Sequence, residues 1–207
     1  MAIVRSGLLG GFSGKIAGIV GGKWKDKQYA RGYVVPANPN TPKQQAKRLR
    51  FKTASVFGLS ILGGILQPYM DWCTRSMSAF NWFIKTNIAL FVDIPVYTSI
   101  KVASGSLFSA AIGTPSNSGQ TVTVPFDMGL GSNGLASDKV YAGIYDKASG
   151  RTSFASAEVL RSAGTIDVAM GGTTSTDVCI FLVTARRDVA GNVVKVGNSD
   201  AMDYTLT

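Results

Sequence analysis

Hydrophobic positions change their period several times along the chain, and each change marks a different kind of element. Over residues 1–22 the apolar residues Leu8, Leu9, Phe12, Ile16, Ile19 and Val20 fall between glycines at 7, 11, 14, 18, 21 and 22. On a helix those glycines would form a small-residue stripe, as in the seams of membrane helices. In an extended chain they would mark bulges and close backbone approaches. Each interior glycine costs a helix roughly 1 kcal/mol, so an isolated helix is not expected. The segment reads as an arm that orders against a partner or against the rest of the chain. Over residues 16–35 the pattern becomes a hairpin, with Lys23-Trp24-Lys25 leading through Asp26-Lys27 into an alternating run from Gln28 to Val35. Side chains repeat every two residues in a strand, so Tyr29, Arg31 and Tyr33 share one face.

Residues 36–41 read as an extended linker held away from helix by Pro36 and Pro39. Thr41, Pro42 and Gln44 then stand at the N-cap, N1 and N3 positions of a helix expected to run from Pro42 to about Leu62. The stretch from Thr53 to Met70 is uncharged and approaches the length of a membrane span. Its Gly58, Gly63, Gly64, Gln67 and Pro68 favour two buried helical segments with a break. A second helix is expected over about 68–90. Its aromatics Trp72, Phe80, Trp82 and Phe83 read as core or subunit interface, as does Phe12 in the arm.

From about Thr98, short β-branched and aromatic runs alternate with turn residues, predicting strands at 99–107, 120–127, 138–146, 150–159, 165–170, 177–186 and 193–205. Seven strands at this spacing suggest a β-sandwich on the immunoglobulin or fibronectin type III plan, without the Cys…Trp…Cys pattern of antibody domains. The expectation is an α+β chain: a basic Gly-rich arm and hairpin over 1–40, a helical segment over 41–95, and an antiparallel sandwich over 96–207.

Charge sharpens this division. Residues 1–60 hold eleven Lys and Arg against one acid, Asp26, a net +10; the remaining 147 residues are net −1, making the chain's +9. Such a split points to an anionic partner or a docking arm. The candidate binding residues are Lys15, Lys23, Trp24, Lys25, Lys27, Tyr29, Arg31, Lys43, Lys47, Arg48, Arg50 and Lys52. Aromatics interleaved with bases suit stacking on nucleobases plus phosphate contact, and equally a solvated hairpin with cross-strand aromatic pairs. Cations in the first turns of the 42–62 helix oppose its dipole, so local stability does not account for them.

Little else suggests chemistry. There is no histidine, which removes His-based triads and His metal ligands. Glu158 is the only glutamate, and the sequence holds no phosphate loop, HExxH, CxxC or GxSxG motif. Cys73 and Cys179 lie in apolar surroundings and read as buried thiols. Asp127, Asp138, Asp146, Asp177 and Asp188 sit at strand ends and read as turn builders rather than calcium ligands. The expectation is no catalytic residue, metal or cofactor. The apolar run near the start is short and broken by glycine, so no secretory signal is expected.

The head has a recognisable cadence: Gly7-Leu8-Leu9-Gly10-Gly11-Phe12-Ser13-Gly14-Lys15, then Trp24-Lys25, then Asn38-Pro39-Asn40-Thr41-Pro42-Lys43-Gln44 with Arg48 and Phe51. It resembles an uncharacterised family of roughly 200-residue proteins from Bacteroidota and their phages. The resemblance implies a phage or mobile-element setting and brings no catalytic residues. The expected role is a non-enzymatic virion component (capsid, minor capsid, decoration or tail part), made in the host cytoplasm. Its partners would be copies of itself, other virion proteins and DNA at the basic head. The alternatives are a nucleic-acid-binding module and a membrane- or host-surface-binding protein, the membrane being the less expected partner.

Overall fold

The computed structural model describes residues 2–3, 12–25, 27–71, 77–92, 95–171 and 176–206. Asp26, Trp72 and Cys73 lie outside the described residues. The chain divides into two compact units, Met1–Pro42 and Lys43–Thr207.

The first unit is one antiparallel sheet of β1 (Ala2–Ile3), β2 (Gly14–Ile16), β3 (Ile19–Trp24) and β4 (Lys27–Gly32), in the order β1-β4-β3-β2. The expected hairpin is there, with Trp24 paired to Lys27 and Ile19 to Gly32. The glycine-rich segment contributes a strand rather than a helix: β2 folds back on β3 through a tight turn at Ala17, whose φ is 49°.

The second unit has three layers. Its helices are α1 (Pro42–Ser60), a π-helical turn over Leu62–Leu66, α2 (Gln67–Met70) and α3 (Ala79–Asn87). Its strands are β5 (Ser116–Ser118), β6 (Thr121–Pro125), β7 (Lys139–Asp146), β8 (Thr152–Phe154), β9 (Val159–Leu160), β10 (Thr165–Ala169), β11 (Asp177–Arg187), β12 (Val193–Val196) and β13 (Asp200–Thr205). The larger sheet is built on the long antiparallel pair β7–β11; β8 and β9 line the outer edge of β7, and β12 and β13 line the outer edge of β11. The smaller sheet runs β10-β6-β5.

Alternation along β11 explains the layering. Val178, Ile180 and Leu182, with Val140, Ala142 and Ile144 of β7, pack against Val122, Val124, Ile166 and Val168 of the smaller sheet. Cys179, Phe181 and Val183 face the other way and pack with Phe57, Ile61, Ile65 and Leu66 of the helical layer. Each Val, Leu, Ile and Phe among them contributes about 1.5–3 kcal/mol through burial. The large sheet is therefore covered on both faces. The fold is α+β, and its antiparallel strands lie mostly in the C-terminal half. The helices share one hydrophobic core with the strands. Gly64 lets the π-helical turn lie against the ring of Phe154: a Cβ there would come within 2.4 Å of the ring.

Three local expectations give way. Residues 99–107 form no strand, because other groups take their backbone donors. Asn87 Oδ1 accepts from Lys101 N at 2.8 Å and Ser199 Oγ from Val102 N at 2.9 Å. Farther on, Thr184 Oγ1 accepts from Ala110 N at 3.1 Å and Asp200 Oδ2 from Ile112 N at 2.8 Å. The single strands expected at 150–159 and 193–205 are each broken in two. The helix expected over 68–90 is also interrupted, and α3 begins anew after Ser78, whose Oγ accepts from Asn81 N.

A polar staple joins the helical layer to the sheet. The Tyr69 hydroxyl donates to Glu158, and Arg187 donates to both carboxylate oxygens of Glu158. Burial pushes the Glu158 carboxyl up, but hydrogen bonds from Arg187 and Tyr69 outweigh it and hold the group below its ordinary value of 4.5. A depressed carboxylate contributes stability that is present above the unfolded value and lost as pH falls through the folded one. The urea midpoint of the wild type should therefore fall more steeply than that of Glu158→Gln as pH drops below about 4.5. Parallel curves for the two proteins would show that Glu158 carries no such linkage.

Candidate anionic-partner interface

The register of the head sheet sorts the candidate bases into faces. Lys15 pairs with Val20 and Val20 with Arg31; Gly22 pairs with Tyr29; Trp24 pairs with Lys27. Paired residues project to the same side of an antiparallel sheet. Lys15, Lys27 and Arg31 therefore share one face with Trp24 and Tyr29. Tyr33, two residues beyond Arg31, joins them: the Lys15 ammonium lies 3.6 Å from the centre of its ring. Trp24 is 68% exposed and Tyr33 47%. Gly22 leaves the space that the Tyr29 ring occupies.

The opposite face is different in kind. It carries Gly14, Gly21, Ala30 and Gly32 with Ile16, Ile19, Lys23 and Gln28. Phe12 lies across Gly21, where a Cβ would collide with its ring. Of the hairpin candidates, Lys23 thus stands apart from the aromatic–basic face. Lys25 sits in the turn at φ 54°, with its ammonium 5.2 Å from the Trp24 ring centre.

The other candidates lie on α1. Lys43, Lys47, Arg48 and Lys52 are exposed and Arg50 is half-buried. No acid occurs between Lys27 and Met70. Of the candidate interface aromatics, Phe83 is fully buried in the body's own core, stacked on Phe57 at 5.7 Å, and so is not presented to another subunit. Phe80, Trp82 and Phe12 are half-buried.

The aspartates are spent on structure. Asp146 Oδ1 accepts from Ala148 N and Ser149 N, Asp188 Oδ1 from Asn192 N, and Asp127 Oδ1 from Gly129 N. Asp177 pairs with Lys147, and Asp138 with Arg186. Among the described residues no group of three or more His, Cys, Asp and Glu could hold a metal ion. Cys179 is buried, and burial pushes its thiol well above the ordinary range. Among the described residues no single helix is long and apolar enough to cross a membrane; α1 and Leu62–Met70 together pass that test but bend by 58°. The inward residues of that pair are committed to the core against the large sheet.

Sequence reasoning missed a buried cation. Arg161 is fully buried, and its Nη1 donates to the Phe108 carbonyl at 2.7 Å. Its position after a strand at the start of a short 3₁₀ turn carries no pattern that marks a buried cation.

No curated protein and no solved structure matches the chain. Residues 11–202 match DUF6266, a family of unknown function, and since that match runs from the head sheet to the last strand of the body, the chain belongs to this family.

Proposed function

We propose that the chain is a non-enzymatic structural or assembly protein, a phage virion component, whose basic head contacts packaged nucleic acid or neighbouring subunits. The observation that carries this reading is the single sheet face joining Lys15, Lys27 and Arg31 to Trp24, Tyr29 and Tyr33. A face of that kind offers cations to phosphates and flat rings to bases. The head cadence, with its resemblance to proteins of Bacteroidota and their phages, supports the virion setting. Capsid, minor capsid, decoration and tail positions all fit such a part.

Size-exclusion chromatography with light scattering, at low and high salt, tests the assembly role. A species many times the mass of one chain is expected. A monomer at every concentration, together with absence from particles, would refute it.

The exposed Trp24 favours a second reading, a nucleic-acid-binding module. Under it, Trp24→Ala should weaken oligothymidylate binding by about 1–3 kcal/mol. Lys15→Ala with Arg31→Ala should flatten the salt dependence, the slope of log K against log salt falling by about 0.7 for each phosphate that is no longer neutralised. Unchanged affinity and slope in these variants, measured by fluorescence anisotropy, would leave the bases to protein contacts.

A further inference from the structure

We propose that Arg161 anchors a binding site for a small monocarboxylate of the size of acetate, closed over by the connection between β6 and β7. This site lies in the body and does not depend on what the head binds.

The argument starts from the shape of a guanidinium. Its Nε–H and Nη2–H lie side by side and form a flat edge that matches the two oxygens of a carboxylate. The chain uses this edge elsewhere. Arg186 gives Nε to Asp138 Oδ1 at 2.7 Å and Nη2 to Asp138 Oδ2 at 3.0 Å. Arg187 gives the same pair of donors to the two oxygens of Glu158. Arg161 differs. It is fully buried, and its Nη1 donates to the Phe108 carbonyl at 2.7 Å. Its Nε and Nη2 are also buried, and they meet no acceptor among the described residues. Buried donors almost always have partners, and a buried cation costs most when its hydrogen bonds are unmet. Two unmet donors on the one edge that this chain twice gives to carboxylates point to a carboxylate.

Enclosure and charge narrow the ligand. Because Arg161 is shut off from solvent, a side chain of a docked macromolecule does not reach its edge, whereas a ligand of a few atoms can be enclosed with it. The cover is close-fitting. The Phe108 ring centre lies 5.3 Å from the guanidinium. Gly131, in the β6–β7 connection with φ 54°, approaches that ring so closely that a Cβ would collide with it. Asn133 ties the connection down: its Oδ1 accepts from Phe108 N at 2.8 Å, and its Nδ2 donates to the Ser106 carbonyl at 2.6 Å. Breaking those two bonds would free Phe108, which is already partly exposed, and open the way in. Asp138 and Asp127 act on the same guanidinium, so a dianion such as sulfate is opposed more strongly than a monoanion. Chloride has no second atom to meet the second donor.

The test uses the full chain carrying isotope-labelled arginine. The Arg161 Nε–H resonance is assigned through bonds from its own backbone amide, so no variant is needed. Titrating acetate at constant ionic strength should shift this resonance saturably, while those of Arg186 and Arg187 stay in place. The thermal midpoint should rise with the logarithm of acetate concentration beyond half-saturation. In Arg161→Lys, which keeps the charge but not the edge, that rise should be lost. No saturable shift would leave solvent as the acceptor and overturn the proposal. So would an equal shift with chloride, a stronger one with sulfate, or a midpoint rise that survives in Arg161→Lys. A shift produced by polyglutamate would place the carboxylate on a partner chain and overturn the small-ligand reading. If Arg161→Lys does not fold, the wild-type titration decides alone.

Discussion

Replacing Phe57 with alanine is expected to cost the body about 3–5 kcal/mol of stability. Phe57 projects from α1 into the junction of the helical layer and the large sheet, where it is 2% exposed. Its ring meets Tyr145 edge-on at 4.6 Å and lies within 6.0 Å of Phe83, Phe91, Phe181 and Tyr97. Truncation removes the transfer term for the ring and leaves a void lined by rigid aromatic rings that cannot close on it. Paired rings add about 0.5–1.5 kcal/mol each beyond buried area. A domain of ordinary stability, about 5–15 kcal/mol, would lose a large share of it. Urea unfolding followed by circular dichroism would measure the change. Phe51→Ala is the control, since Phe51 lies on the same helix but is exposed, and its change should stay within about 0.5 kcal/mol. If the two variants unfold together, α1 does not cover the sheet.

Asp138→Ala should be the next most damaging substitution, costing about 3 kcal/mol or more. The Asp138 side chain is fully buried. It accepts Nε of Arg186 at 2.7 Å, Nη2 of Arg186 at 3.0 Å and the Leu135 amide at 2.7 Å. It also supports Arg161 electrostatically: burial lowers the pKa of that guanidinium, and Asp138 and Asp127 act against the shift. Removing the carboxylate leaves the Leu135 amide without its acceptor, Arg186 with only the Asn133 carbonyl, and Arg161 with only Asp127 acting against its burial. Adding Arg186→Met should recover part of the loss, because a buried charge pair costs most when only one partner goes. Strict additivity in that double-mutant cycle would show that the pair is not coupled.

Local signals account for much of the architecture, and long-range ones for what they missed. Thr41-Pro42 marked the start of α1, which begins at Pro42. Gln28 to Val35 alternated, and β4 follows that alternation as far as Gly32. The strands at 121–125, 139–146, 165–169 and 177–187 fall within a residue or two of their β-branched runs. Residues 100–112 were not legible, because their amides are satisfied by Asn87, Thr184, Ser199 and Asp200, whose approach depends on the folded chain. The continuous apolar run of β11 was visible, but which layer covers each side depends on where α1 lands. In the candidate site, the shared face of Tyr29, Arg31 and Tyr33 followed from period two alone. That Lys15 joins it and Lys23 does not is set by the register of β2 and β3.

The broken outer strands of the large sheet bear on edge-to-edge pairing between molecules. On one side β8 and β9 are separated by residues 155–158, and on the other β12 and β13 by residues 197–199. At the first break the Ala155 amide still donates to Ala142; at the second the Gly197 amide donates to Thr184 and the Ser199 amide to Ala103. A strand from another molecule would therefore find no long uninterrupted row of donors and acceptors to zip onto. Unbroken sheet margins template fibrils and swapped dimers, and interrupting them is a recognised defence. A protein that must accumulate at high local concentration without converting to amyloid gains from such margins, whatever surfaces it uses for specific contact.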